Sequence, residues 1–385
     1  MAPSDEYSKQ KGDAQHLLQL SNNRQIAYAC NGPEAAGTVV LFFSGIMSIG
    51  MAHSVPQPCQ RIKARWIAPT PAGMGLSSTR DLTVPYHVSL ARDVTALLDH
   101  LYPAGGFDTL YVAGGSYGTV MAQMLYGAAY DIFPGGRKIV AGMVLAGFSP
   151  YKYDKNYGEA LNWNTWLSVG PPSQLPFRPL QRAFRAAIGS KMNTVDGAKK
   201  FLRFTVFDVM DAEEKEKFAT HVAGLGETTD EFITRLARST VACCKNWDGF
   251  MEVSDVIHSD WGFEPSRLDA EHCKPLLVVQ SADDIIGSMN SEWIAKNYSN
   301  AARKTVPGGH VSSMYYMDDM WEEMITCNLH LEAHLACSVS ILHPKGPSPA
   351  PIACPRLGNW DEFSHCIQSF NDGLCGEAAT CLATA

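Results

Sequence analysis

One stretch constrains this chain more than any other: Tyr111-Val112-Ala113-Gly114-Gly115-Ser116-Tyr117-Gly118-Thr119. An apolar run suited to a buried strand ends in a glycine pair, a serine, one more residue and a third glycine. Val120-Met121-Ala122-Gln123-Met124-Leu125-Tyr126 then reads as a helix. Strand, sharp turn and helix around Gly-x-Ser-x-Gly make a nucleophile elbow. The spacing has a chemical reason. The serine must occupy a strained turn so that its hydroxyl stands clear of the sheet, and side chains at positions 114 and 118 would collide inside that turn. The helix starting just after Ser116 aims its amide dipoles at charge developing on a bound carbonyl oxygen.

The rest of the chain supplies a sheet for this turn. His16-Leu17-Leu18-Gln19-Leu20 and Gln25-Ile26-Ala27-Tyr28-Ala29 read as strands joined by a turn at Ser21 to Arg24. Val39-Val40-Leu41-Phe42-Phe43 is a continuous apolar run, as in a strand buried on both faces, and Trp66-Ile67-Ala68-Pro69 is a shorter one. Leu90, Val94, Leu97, Leu98 and Leu101 recur at helical spacing. Further strands are predicted at Ile139 to Ala146, Pro275 to Gln280 and Arg303 to Val306, with helices around Ser291 to Tyr298 and Ser312 to Cys337. Strands alternating with helices predict an α/β fold with a mostly parallel, doubly wound sheet.

The alternation stops over 149–268, a helical stretch rich in aromatics: Trp163, Trp166, Phe177, Phe184, Phe201, Phe204, Phe207, Trp247 and Phe250. It falls between two sheet strands and after the elbow, the place for a lid over the serine. Most of its aromatics are expected to form the lid's own core, with one or two lining an apolar cleft. The predicted organisation is a polar leader over 1–15, a sheet core over 16–148 and 269–339, the lid over 149–268, and a Pro- and Cys-rich tail over 340–385.

Composition excludes several classes. A formal net charge of -8 and the lack of any basic run argue against nucleic-acid partners. The polar N-terminus is neither a secretory signal nor a membrane span, so a cytoplasmic protein is expected. The cysteines number 11, and Cys337, Cys354, Cys366, Cys375 and Cys381 crowd the tail. Without a signal peptide these read as reduced thiols, and their spacing suits no common zinc site, so neither metal nor cofactor is expected.

With its elbow and strand order, the chain from about Gln25 to Met324 resembles the α/β-hydrolase fold superfamily, in which nucleophile, acid and histidine follow in that order on loops after strands. The resemblance assigns Ser116 as nucleophile and His310, in Pro307-Gly308-Gly309-His310, as the histidine. The acid loop aligns on Ser281-Ala282-Asp283-Asp284, with Asp284 preferred, Asp283 the alternative and Asp154 a minor one. Two places depart from the family pattern. Ser44-Gly45 stands where His-Gly is usual, and Thr70-Pro71-Ala72-Gly73-Met74-Gly75-Leu76-Ser77 keeps the glycines and serine of its loop but lacks the charged pair. The amides of Ile46 and Tyr117 remain the candidate oxyanion hole.

The implied function is a serine hydrolase acting on an ester, thioester or lactone of an apolar small molecule. The elbow is also similar to that of proline iminopeptidases, whose substrates need an acidic pocket for a free amine. Carbon–carbon hydrolases and lyases share the same residues, and binding proteins of this fold keep them without turnover.

Overall fold

The computed structural model describes residues 14–326 except 160, 285 and 287. The tail over 340–385, its cysteines, Cys327 and nearly all of the leader lie outside the described residues.

Eight strands form one sheet in the order β1-β2-β4-β3-β5-β6-β7-β8. They are β1 His16–Gln19, β2 Gln25–Asn31, β3 Thr38–Phe43, β4 Arg65–Pro69, β5 Thr109–Gly115, β6 Ile139–Leu145, β7 Leu276–Ser281 and β8 Ala301–Val306. β1 pairs with β2, and β2 with β4, antiparallel; every later pairing is parallel. The β1–β2 turn puts Asn22 and Asn23 at φ 64° and 58°. Asparagine tolerates that left-handed region better than most residues.

The period-2 alternation of β3 shows why both faces are covered. Val39, Leu41 and Phe43 join one apolar layer, whereas Val40 faces the other. The first layer is completed by α2 (Tyr86–Leu101), α3 (Gly118–Tyr126) and α10 (Ser288–Asn297), through Val94, Leu97, Met121, Leu125 and Ile294. The second is covered by the short α1 (Gln57–Arg61) and by α11, described over 317–326. Trp321 of α11 is fully buried there, edge-on to Trp66 at 5.6 Å and to Tyr111 at 5.8 Å. The sequence reading did not find α1. It expected one helix from Ser312, but a 3₁₀ turn over Ser312–Tyr316 precedes α11.

Between β6 and β7 lie six helices: α4 (Trp163–Val169), α5 (Pro179–Ile188), α6 (Val195–Leu202), α7 (Ala212–Gly224), α8 (Thr229–Cys243) and α9 (Asp248–His258). Their ends are written in side chains. Asn162, Thr194, Asp211 and Thr228 each accept a backbone N–H of the first turn, and Thr228 with Glu231 closes a capping box. The expectation that most aromatics here form the insertion's own core holds in part, for Phe201, Phe207, Trp247 and Phe250, which pack in its clusters. Phe207 and Trp247 are buried, whereas Trp163, Phe177, Phe184 and Phe204 are exposed. Six short helices have too little inner face to enclose nine rings: two small clusters are their own, and α4, α8 and α9 turn Val169, Cys243, Val253, Val256 and Ile257 into the first sheet layer instead.

Candidate active site

β5 is central, and its neighbours β3 and β6 run parallel to it, so the loops after all three open at one edge of the sheet. Ser116 sits on that edge with φ 51°, a left-handed backbone that a non-glycine residue adopts only at a cost of about 1–3 kcal/mol. The turn is held by Ser116 N–H donating to Leu145 O at 2.8 Å, and by Thr119, whose N–H and hydroxyl donate to Ser116 O at 3.0 and 2.6 Å. A Cβ at Gly118 would lie 2.0 Å from Phe43 O, and one at Gly114 would lie 2.4 Å from Gly118. Gly115 faces open space. The glycines at 114 and 118 are therefore required by close backbone approach.

The loops after β7 and β8 bring the other two groups. Asp284 Oδ1 accepts the Ile286 N–H at 2.9 Å and lies 2.7 Å from His310 Nδ1. His310 Nε2 lies 2.9 Å from Ser116 Oγ. With Nδ1–H donated to the carboxylate, Nε2 offers its lone pair to the serine hydroxyl. The Asp284 side chain is 3% exposed, so its attraction for the ring is little screened by water. Asp283, the alternative acid, is exposed and its N–H donates to Gly308 O at 3.0 Å. Asp154 is buried elsewhere, accepting Ser149 Oγ at 2.6 Å and Asn156 N–H at 3.2 Å. Neither lies on His310.

The residues expected to supply amide donors, Ile46 and Tyr117, lie on chain that adjoins the serine. The loop carrying Ile46 passes close to the serine, since a Cβ on Gly45 would stand 3.4 Å from Ser116 Cβ. The Ile46 and Tyr117 N–H groups have no hydrogen-bond partner among the described residues. The Tyr117 side chain is buried, sharing a hydrogen bond with Tyr86, and burial pushes its hydroxyl pKa well above the ordinary value.

What sequence reasoning missed is how much of the site is held by the insertion. Glu214 of α7 accepts the Gly309 N–H at 3.0 Å, one residue before His310. Ser239 of α8 lies 2.9 Å from Ser48 Oγ and accepts the Ile49 N–H at 3.1 Å, pinning the loop that carries Ile46. The glycine-rich loop after β4 docks there too, with Gly75 N–H to Cys243 O at 2.9 Å and Gly249 N–H to Gly73 O at 2.7 Å. Gly73 has φ 74°, and a Cβ on it would lie 2.5 Å from Gly249 N. The glycines of this loop were legible as a motif, but their partners on the insertion were not. Below them Arg80 Nε meets Glu252 Oε2 of α9 at 2.8 Å, the glutamate buried and the arginine partly so.

A small recess of about 10 Å³ beside the Ile46 loop is lined by Met47, Met74, Cys243, Cys244, Trp247 and Phe250, with Asn246 as its polar member. Burial pushes the Cys244 thiol up to about 12 and raises Cys243 as well, so both stay protonated and serve as apolar lining. Among the described residues no group of His, Cys, Asp and Glu is placed to hold a metal.

A family model described as the alpha/beta hydrolase family matches residues 52–325, well over half of the chain. The chain belongs to the alpha/beta hydrolase family. No curated protein matches it in sequence. Solved structures that it resembles include a hydrolase from Pseudomonas aeruginosa PA01, at 18% identity and TM-score 0.51, covering 82% of this chain and 98% of that one. An esterase from Rhodococcus sp. ECU1013 gives 15% identity and TM-score 0.52 over 82% and 98%. A bromoperoxidase from Bacillus anthracis gives 12% and 0.53 over 81% and 100%. At such identities the likeness is one of fold. Within the alpha/beta hydrolase fold the loops over the sheet edge carry the chemistry, and that edge is where Ser116, His310 and Asp284 meet.

Proposed function

We propose that the protein is a serine hydrolase that cleaves an ester, thioester or lactone of an apolar small molecule through Ser116, His310 and Asp284. The observation that carries the reading is the unbroken row from Ser116 Oγ to His310 Nε2 and from Nδ1 to Asp284, at 2.9 and 2.7 Å. In this mechanism Ser116 Oγ attacks the substrate carbonyl as its proton passes to Nε2. Asp284 holds the ring and stabilises the imidazolium. The Ile46 and Tyr117 amides receive the oxyanion, a role in which losing one donor typically costs about 10²–10³ in rate. His310 then protonates the leaving group, and water, deprotonated by the same histidine, releases the acyl chain.

The recess beside the Ile46 loop, about 10 Å³, has room for a water and not for an acyl chain, so the apolar-substrate reading rests on the aromatic-rich insertion after the elbow. Glu214 is the acid that reaches the histidine loop, and it already accepts the Gly309 amide, which gives little support to a free-amine peptide substrate. We place the lid at about 149–268, closing over this edge from between β6 and β7.

The test is hydrolysis of p-nitrophenyl esters graded by acyl length. The reading expects kcat/KM to rise from acetyl to longer chains, and Ser116→Ala to lose about 10⁶ in kcat with the fold intact. Turnover that survives in Ser116→Ala, or a preference for acetyl, would overturn it.

A further inference from the structure

The insertion carries a charge asymmetry that the catalytic reading does not use. Between Glu159 and Asp196 the sequence holds no acidic residue, yet it contains Arg178, Arg182, Arg185 and Lys191, in a chain of net charge -8. The same segment displays Phe177, the most exposed large apolar side chain among the described residues at 87%, together with Trp163 at 69% and Leu175 at 51%. Trp163 begins α4, and Leu175 and Phe177 lie in the connection to α5; the two helices pack against each other and against the 3₁₀ turn Pro171–Gln174 between them. Phe177 and Arg178 are successive non-glycine residues in the left-handed region, at φ 65° and 55°. A strained turn that pushes a phenylalanine into water calls for a compensating contact.

From these observations we propose that the 163–191 face of the insertion docks on an anionic lipid surface. Leu175, Phe177 and Trp163 enter the interfacial layer while the arginines and Lys191 meet the headgroups. The charge pattern selects this occupant. Arg182 and Lys191 are exposed and unpaired among the described residues, whereas Arg178 braces the turn through Asp255 at 2.7 Å, and Arg185 lies over the Trp247 ring at 5.9 Å. Exposed aromatics flanked by cations, the one adjoining acid Asp255 being neutralised by Arg178, are the pattern of segments that lie in a membrane interface rather than across it. No described helix is long and apolar enough to span a bilayer. A second copy of this chain fits less well, because a twofold contact would set these cations against their own images. The exposed pair Phe204 and Val209 has Asp208 and Asp211 beside it, and its nearby cations Lys199 and Arg203 are both held by Asp230, so it lacks the free positive charge for this role. An enzyme of the proposed kind, docked here, would meet apolar esters where they partition.

The experiment is co-sedimentation of the full chain with vesicles of phosphatidylcholine alone and of phosphatidylcholine mixed with phosphatidylglycerol, at low and high salt. The proposal expects binding to the mixed vesicles only, released by salt. Arg182→Ala and Lys191→Ala should each weaken it about fivefold, and Phe177→Ser about tenfold. All three residues are solvent-facing, so unchanged melting temperatures verify the fold. Ser116→Ala should bind as the wild type does, so docking and hydrolysis fail separately. Equal binding to neutral vesicles, indifference to the three variants, capture by polyglutamate but not by vesicles, or a dimer that Phe177→Ser dissociates would each overturn the proposal.

Discussion

The sheet and the insertion are built on different terms. In the sheet, β3, β5, β6 and β7 are buried on both faces, their alternate side chains feeding two large apolar layers. In the insertion, six helices have two small clusters of their own, join the first sheet layer through Val169, Cys243, Val253, Val256 and Ile257, and leave four of nine aromatics exposed. To that apolar attachment it adds polar contacts at the loops: Glu214 to Gly309, Ser239 to Ile49, Gly249 to Gly73, and Arg80 to Glu252. The sheet thus sets where Ser116 stands, and the insertion sets how firmly the flanking loops are held. Each region should fail in its own way when perturbed.

The largest effect is expected in the sheet. Gly118→Ala brings a methyl group within 2.0 Å of the Phe43 carbonyl, which neither backbone can relieve. Destabilisation above about 4 kcal/mol is expected, read as loss of cooperative unfolding together with all activity. Breaking the largely buried pair with Arg80→Ala or Glu252→Ala strands a charge at the junction and should cost about 3–5 kcal/mol by chemical denaturation. A smaller loss would show that the junction is apolar in substance. Glu214→Ala should leave stability nearly intact but lower kcat by about tenfold to a hundredfold, since a displaced histidine loop misaligns the row. Glu214→Gln, which keeps a carbonyl acceptor, should recover most of that loss.

Acid should separate the two regions most gently. His221 and His258 both belong to the insertion, and burial lowers both pKa values. His221 faces Asp318 and Arg235; His258 faces the Ser254 carbonyl, the Tyr157 hydroxyl and Asp255. A histidine kept neutral in the fold takes up its proton in the unfolded chain first. Stability is therefore complete above the ordinary histidine value of about 6.5 and falls as pH drops below it. Hydrogen exchange at falling pH should open α7 and α9 before β5 or β7. Uniform opening would remove the contrast.

How legible each region was follows from the same difference. The strands could be read because a twice-buried strand is a continuous apolar run and a β/α alternation permits few topologies. The elbow could be read because its glycines answer to close backbone approach, and Asp284 and His310 because each follows a strand of the sheet. The short α1 had no apolar period to reveal it. Glu214, Ser239 and Glu252 were invisible for another reason. A polar side chain on a helix carries no sign of the loop it will meet across the chain, and contacts such as Glu214 to Gly309 join residues far apart in sequence. The exposure of Phe177 and Trp163 contradicted a rule that is sound for helices with a partner and fails where a face has none within the chain.

The central claim is that Ser116 is an activated nucleophile, and labelling with a fluorophosphonate followed by peptide mapping tests it most directly. The account predicts one adduct per chain on Ser116, abolished in Ser116→Ala and slowed strongly in His310→Ala. No adduct on the folded wild-type protein, or an adduct that persists in Ser116→Ala, would contradict it.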